Sequence, residues 1–300
     1  GMMRPALAGM CVFMAFGAVP AAGQNTVPLP RSLSLAGETA LVMIEGEEAA
    51  ARLSEYDRYL AGWSTFDHQV RMGALAPQPI ESWLGFLAEQ ARPWSEAEVA
   101  KVSDSAARLR PTLSEMRLPW PEEIVLIKTS GREEAGAAYC RGAAVFLPQK
   151  MVDGRPEQVR RLLLHELFHV LSNQNPELRA RLYEVIGFRV CQTIPLPAEL
   201  EQRRITNPDA PLCDCVIGLR IGGRAGWFAP VLLASRPYDP RSRDGLFQYL
   251  KFQLIEVQPV AEDRFEPLLT ERGARLREAA GGEGFARKIG RNPEYIIHPD

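Results

Sequence analysis

One amphipathic helix that carries two histidines constrains the fold of this chain more than any other feature. From Pro156 to Leu171 the apolar side chains recur at three- and four-residue steps, the spacing of a buried helix face. They are Val159, Leu163, Leu167, Val170 and Leu171. Pro156 suits the first helical position, because the N–H that proline lacks would have no partner there. The pattern predicts a helix over this segment, and a second helix that begins after Asn175-Pro176.

The sequence HELFH occupies residues 165 to 169 of this predicted helix. Residues four apart lie one above the other on a helix, so the imidazoles of His165 and His169 can bind one zinc ion. Glu166 lies one position around the helix, where its carboxylate can reach a metal-bound water without being a ligand. A metallohydrolase needs this geometry, because zinc acidifies the water and the glutamate acts as general base. The motif therefore predicts a zinc site with Glu166 as the catalytic residue.

A catalytic zinc needs a third protein ligand and one open position. The longer pattern HExxHxxGxxH is absent, because Ser172 and Asn175 stand where its glycine and its third histidine would be. Glu184, fifteen residues after His169 on the next predicted helix, is one candidate, although a solvated helix face is the preferred explanation of this residue. His298 and Asp300, in the closing stretch, are the others.

Several stretches of sequence around this helix carry a resemblance to a known protein family. The stretches that carry it are AAYCRGAAVFLP, HELFHVLSNQNPELRARLYEVIGF, RITNPDAP, RPYDP with GLFQYLKFQLIEV, and GRNPEYIIHPD. From about Pro121 to the last residue the chain resembles an uncharacterised family of exported bacterial HExxH proteins, regarded as zincin-like metallopeptidases of the gluzincin type. The family pattern continues after Ile-His-Pro as a helix whose glutamate would be the third zinc ligand. The resemblance thus places that ligand beyond residue 300; the alternative is an inactive zincin scaffold that only binds a partner.

The resemblance also implies an architecture. It is an α/β (α+β) zincin-like domain over residues 38 to 300, with an N-terminal helical layer, a small mixed sheet, the HExxH helix and a β-rich insertion at about 189 to 262. The stretch AAVFLP (143 to 148) would be an edge strand that holds an extended peptide by backbone pairing, and an ordinary sheet strand is the alternative. Tyr295 and Tyr139 are candidate donors to the oxyanion of the transition state, although a buried tyrosine is more often a core residue.

Local patterns add further predictions. Residues 45 to 109 have helical periodicity, and Ser95 with Glu98 forms a capping-box pattern. The run EEIVLIKTS (122 to 130) predicts a buried strand, and Gly222-Gly223 predicts a hairpin turn. A short helix is expected in LTERGARLREAA (269 to 280).

The N-terminus and the cysteines indicate the compartment. Arg4, an apolar run over residues 6 to 19 and small residues after it are typical of a secretory signal peptide, here 1 to 22, followed by a linker over 23 to 37. An uncleaved membrane anchor is the alternative. Four cysteines would remain in the exported chain, Cys140, Cys191, Cys213 and Cys215. They are expected to form two disulfides or to stay as free thiols, and three pairings are open.

The balance of charges limits the partners. Thirty-five lysines and arginines face 37 aspartates and glutamates, and no basic cluster stands out, so we expect no nucleic-acid partner. We expect an exported protein, periplasmic or extracellular, without stable membrane association once the signal is cleaved. The predicted activity is zinc-assisted hydrolysis of a bond in a peptide or protein substrate. The oligomeric state stays open.

Overall fold

A computed structural model describes residues 31 to 278 together with residue 285. The predicted signal peptide and three candidate site residues, Tyr295, His298 and Asp300, lie outside the described residues. The first part of the chain contains β1 (Ser32–Ala36), β2 (Thr39–Ile44), α1 (Gly46–Leu53), α2 (Arg58–Ala61), α3 (Thr65–Met72), α4 (Ile80–Ala88), α5 (Glu96–Glu115), β3 (Glu123–Thr129), a 3₁₀ helix (Arg132–Glu134), β4 (Tyr139–Arg141), β5 (Ala144–Pro148), α6 (Gln149–Val152), α7 (Pro156–Gln174) and α8 (Pro176–Val185).

The remaining part is dominated by strands. It contains β6 (Phe188–Val190), α9 (Ala198–Glu201), β7 (Cys215–Ile221), β8 (Arg224–Ala234), α10 (Leu246–Tyr249), β9 (Leu250–Ala261), β10 (Arg264–Pro267), β11 (Leu269–Thr270), β12 (Gly273–Ala274) and β13 (Leu276–Glu278). The chain therefore has a mixed α+β architecture, with helices concentrated before residue 186 and strands after it.

The first sheet has the strand order β1-β2-β3-β5-β4. Strands β2, β3 and β5 are parallel, whereas β1 and β4 run antiparallel to their neighbours at the two edges. The central strand β3 is buried at every position after its first residue, as the apolar run over 122 to 130 predicted. The expectation that AAVFLP is an edge strand is wrong. At Gly142 (φ 60°) the chain reverses, so β4 pairs with β5 and covers its edge.

Helices cover both faces of this sheet. On β3, Ile124 and Leu126 face one core with α5 and α7, while Val125 and Ile127 face a second core with α1, α2 and α4. This alternation follows from the period of two along a strand. The predicted N-terminal helical region is thus divided between the two faces. Its capping box is present, since the side chains of Ser95 and Glu98 each accept from the backbone N–H of the other.

Helix α7 begins at Pro156 and packs its apolar stripe against the first core, as the sequence predicted. Helix α8 follows directly from Pro176. The positions that the pattern assigned to the buried face are buried, and Leu167 and Val170 are completely so. This packing fixes the rotation of α7, and with it the direction in which the histidines point.

The second sheet has the order β10-β9-β8-β7-β6, with β13 also paired to β9. The turn between β7 and β8 is formed by Gly222 and Gly223, both with positive φ (58° and 78°), as the hairpin prediction required. The helix expected over 269 to 280 is wrong, because β11 and β12 form a tight hairpin closed at Gly273 (φ 91°). Likewise, β1 lies inside the expected linker over 23 to 37, so residues 32 to 36 belong to the first sheet.

Candidate metal centre

The histidines and the glutamate of HELFH lie on the side of α7 that faces away from the first core. Glu166 and His169 are buried beneath other elements, whereas His165 is exposed. The Nε2 atoms of the two imidazoles are 3.0 Å apart, and their ring planes are nearly perpendicular, at 88°. Two ring nitrogens at this separation can share one ion.

A third group, which the sequence analysis did not predict, joins them. Asp209 lies in the loop between α9 and β7, and ligand atoms of Asp209, Glu166 and His169 all lie within 4.8 Å of one another. The backbone N–H of Cys140, on edge strand β4, donates to Asp209 Oδ1 at 2.7 Å. The backbone N–H of Asp209 donates to Asn207 Oδ1 at 3.0 Å, which shapes the Asn-Pro-Asp turn. These bonds orient the carboxylate towards α7.

The electrostatics of this cluster favour a cation. Burial, and then the nearby Asp209 carboxylate, raise the pKa of Glu166 well above its usual value. Its Oε2 is buried and has no hydrogen-bond partner in the described part of the chain. Two acids confined together and out of water are costly unless a positive charge compensates them. Partial removal from water lowers the pKa of His165 and so favours the neutral imidazole, the form that binds metals.

The loop that carries Asp209 is fixed by helix α3. The backbone N–H of Thr206 donates to Asp67 Oδ1 at 3.1 Å, and the Thr206 hydroxyl lies 2.6 Å from Asp67 Oδ2. From the other side, Arg71 Nη2 donates to the Thr206 carbonyl at 3.0 Å. Asp67 and Arg71 are themselves buried and paired. These bonds hold the backbone three residues before Asp209, so they position the third candidate ligand.

A buried network extends from this anchor. Arg71 binds Glu134 through two parallel bonds, from Nε at 2.8 Å and from Nη2 at 3.0 Å, and the Tyr59 hydroxyl donates to the same carboxylate. Pairing on this scale is what allows charged groups to be buried. The network links α2, α3, the 3₁₀ helix and the Asp209 loop, so the site rests on several elements rather than on one flexible loop.

A cavity of about 230 Å³ opens beside the cluster, and we call it the His165 cavity. His165, Asp209 and Tyr139 line it, the Arg71–Glu134 pair forms part of its wall, and Leu246 and Leu250 supply apolar surface. Tyr139 is buried and stacks on Phe146 with ring centroids 4.6 Å apart. Burial raises the pKa of Tyr139 well above its usual value, so its hydroxyl keeps its proton and can donate.

The residues predicted from the sequence are therefore only partly brought together. Glu166 and His169 converge with Asp209, His165 contacts His169 through its Nε2 atom, and Tyr139 lines the adjoining cavity together with His165. Glu184 is exposed on α8 and is not part of the convergent group. The sequence did offer a signal for Asp209, since RITNPDAP was among the stretches that carry the resemblance. Its acid was overlooked because an Asn-Pro-Asp turn ordinarily indicates a solvated loop.

Backbone pairing of a substrate at the edge of the sheet is restricted. Strand β4 has only three residues, and the N–H of its middle residue, Cys140, is already bound to Asp209. An added strand would have to displace that bond. The edge therefore serves to orient Asp209 rather than to offer a free row of donors.

All four cysteines of the described residues are free thiols. This arrangement agrees with the second of the two alternatives from the sequence. Cys191 and Cys213 belong to one apolar cluster with residues of the second sheet, and Cys215 begins β7. Burial, and then Asp214, raise the pKa of both Cys191 and Cys213 to about 12. These thiols are therefore protonated at neutral pH.

Within the described ranges no helix has the length and apolar character needed to cross a membrane. The chain was compared with known proteins, and no profile of a protein family, no curated protein and no solved structure matches it significantly.

Proposed function

We propose that this chain is an exported zinc-dependent hydrolase of zincin type that cleaves a peptide bond. In this proposal His165, His169 and Asp209 bind the metal, and Glu166 is the general base. One observation carries it: the ligand atoms of Glu166, His169 and Asp209 lie within 4.8 Å of one another, with the His165 and His169 Nε2 atoms 3.0 Å apart. The resemblance to exported HExxH proteins supports the assignment of the peptide bond and of the compartment.

The donor set suits zinc. Two imidazoles and one carboxylate are ligands that zinc accepts, and three protein ligands leave the open position that catalysis requires. The hydrogen bond from Cys140 to Asp209 is of the kind that orients a ligating carboxylate from behind. A bound zinc would supply a water of lowered pKa and would polarise the substrate carbonyl.

The residues of the chain account for the remaining steps. Glu166, whose pKa burial and Asp209 raise above its usual value, would accept a proton from the attacking water and pass it to the leaving amine. Tyr139 lines the His165 cavity and its hydroxyl stays protonated, so it is a candidate donor to the oxyanion.

The alternative, a zincin scaffold that binds a partner without turnover, rested on the lack of a third ligand. Asp209 is a candidate for that ligand within the chain, and its position supports the hydrolase proposal over the alternative. Zinc binding alone would not separate the two hypotheses, because an inactive scaffold can keep its metal. Turnover has to be measured as well.

The test combines metal content with hydrolysis. Purified protein should hold one zinc per chain by mass spectrometry and should cleave a mixed peptide library. We expect His165→Ala and Asp209→Asn to lose both properties, and Glu166→Gln to keep the metal but lose cleavage. Glu184→Gln is the matched control, an exposed carboxylate that should change neither. A wild-type protein without zinc, or cleavage that survives in Glu166→Gln, would refute the proposal.

A further inference from the structure

A second cavity, of about 250 Å³, lies next to Asp209, and we call it the Arg58 cavity. Its wall includes Ser172 and Asn173 of α7, Arg58 at the start of α2, and Asp209. Residues three and four apart share a helix face, so Ser172 and Asn173 continue the face of His169 by one turn. Asp209 borders the His165 cavity too. The two cavities thus lie in sequence along α7, with the candidate metal centre between them.

Arg58 is a positively charged residue of this cavity that has no acidic partner among the residues that the structure describes. Its side chain is exposed and forms neither an ion pair nor a hydrogen bond with any residue that the structure describes. The adjacent acid, Asp57, is already occupied, because its Oδ2 accepts from Arg141 Nε at 2.8 Å while its Oδ1 caps α2. Glu55 is paired with Arg52 at 3.1 Å. No acid of its own segment is therefore left for Arg58.

The other charges on the cavity wall are also compensated. Arg179 and Asp214 form a two-pronged pair with distances of 2.8 and 2.9 Å, so they contribute no net charge. Asp209 is the remaining acid, and in the proposed function its charge is offset by the divalent ion that it binds. Counting the charged groups that the structure describes on its wall, the Arg58 cavity then has a net positive charge, carried by the Arg58 guanidinium.

We infer that the Arg58 cavity binds a carboxylate of the substrate and that Arg58 is the residue that recognises it. A guanidinium offers a planar pair of donors that matches a carboxylate. This inference rests on the proposed function, because the metal centre defines where the cleaved bond lies. Asn173 lies four residues beyond His169, about 6 Å along the helix axis, which corresponds to about two residues of an extended peptide. The substrate class is therefore a peptide with a carboxylate about two residues from the cleaved bond.

Two sources of such a carboxylate exist, a free C-terminus and an aspartate or glutamate side chain. A pool of random octapeptides, prepared with either free or amidated C-termini, distinguishes them. The zinc-loaded protein is incubated with each pool, and the cleavage positions and rates are read by mass spectrometry. For a terminal carboxylate we expect cleavage to cluster near the free C-terminus and to slow at least tenfold on amidation. For a side chain, the preference follows Asp or Glu in both pools. Either result supports a carboxylate site.

The decisive variant is Arg58→Gln. It should raise KM for the preferred peptides about tenfold with little change in kcat, and it should abolish the difference between carboxylate and control peptides. Arg52→Gln, which removes an exposed arginine already paired with Glu55, is the matched control and should leave the preference intact. A carboxylate preference that is absent from the wild type, or that survives in Arg58→Gln, would overturn the inference.

A binding measurement separates this inference from the proposed function. The two peptide pools, labelled with fluorescein at the N-terminus, are titrated with zinc-treated Glu166→Gln protein and followed by anisotropy. Tighter binding of the carboxylate pool that is lost with the added Arg58→Gln change supports the site even if the wild type cleaves nothing, in which case only the hydrolase proposal fails. Equal binding of both pools, with no dependence on acidic residues, refutes the Arg58 site even if hydrolysis is found.

Discussion

The substitution Asp209→Asn tests the metal centre through stability, without any need for a substrate. Asparagine has nearly the same shape as aspartate, and its Oδ1 can still accept the bond that Cys140 donates at 2.7 Å. The change therefore removes one charge and little else. If the site is built for a cation, the metal-free protein should become more stable, and the gain on adding zinc should disappear.

The size of the first effect follows from the separation of the acids. At 4.8 Å, the greatest distance within the cluster, and at an effective dielectric constant of about 20, two full negative charges repel by about 3 kcal/mol. Glu166 relieves part of this by holding a proton, since burial and Asp209 raise its pKa. We therefore expect metal-free Asp209→Asn to gain about 1–3 kcal/mol in the free energy of unfolding. In zinc at a thousandfold excess over Kd the wild type should gain about 4 kcal/mol.

Urea unfolding in EDTA and in zinc measures both effects, with Glu184→Gln as an exposed-carboxylate control. The pH dependence has a defined sign. Because the pKa of Glu166 is raised in the folded state, its stabilising contribution is full below the unfolded pKa and is lost as pH rises through the folded pKa. The metal-free wild type should thus lose stability as pH rises above about 4, the pKa of an unfolded glutamate, and Asp209→Asn should lose less. A variant less stable than wild type in EDTA, yet equally stabilised by zinc, would show that Asp209 is not a ligand.

Three further predictions concern the anchor, the thiols and the core. Thr206→Val removes a buried hydroxyl that lies 2.6 Å from its carboxylate partner on α3, and it should weaken zinc binding about 10- to 100-fold. The control is Thr39→Val, which removes a buried hydroxyl bonded at 2.9 Å to the carbonyl of Pro121. It should lower the stability of the protein without changing zinc binding. Because its pKa is raised to about 12, only about one part in ten thousand of Cys213 should be thiolate at pH 8. Iodoacetamide should therefore label Cys213 only after the protein is unfolded in urea. If the unfolded protein is not labelled in the absence of a reductant, Cys213 is in a disulfide. Leu167→Ala, at a fully buried position, should lower the free energy of unfolding in urea by about 2–5 kcal/mol. Leu164→Ala, at a position that is 45% exposed, should lower it by about 0.5 kcal/mol or less. Equal losses for the two variants would contradict the assigned buried face of α7.

The sequence predicted elements whose signal is local. The apolar stripe of α7, the buried run of β3 and the glycine pair of the β7–β8 hairpin each record their conformation within a few neighbouring residues. The two histidines and the glutamate could be found for the same reason, since a helix places residues 165 and 169 together without help from the fold. These features required no knowledge of tertiary structure.

The features that could not be predicted from the sequence depend on contacts between segments that are distant along the chain. Asp209 is forty residues from His169 along the chain, and only the docking of its loop against Asp67 and Cys140 brings it to the site. A pair such as Asp67 and Arg71, four residues apart on a helix, has the pattern of a solvated ion pair, and nothing local shows that it is buried. Strand β1 was not predicted, because proline and serine before its two leucines are typical of a linker. Only pairing within the sheet shows that these leucines belong to a strand.

The three candidate ligands also join two parts of the chain that no disulfide links among the described residues. All four described cysteines are thiols, so the segment from α7 to the Asp209 loop is not cross-linked by a disulfide among the described residues. An ion held by His169 and Asp209 would close a loop of forty residues. By the chain-entropy relation for a disulfide of that span, such a closure is worth about 4 kcal/mol. The metal would then act as a removable staple, and a chelator should render the same polypeptide susceptible to proteases that it otherwise resists.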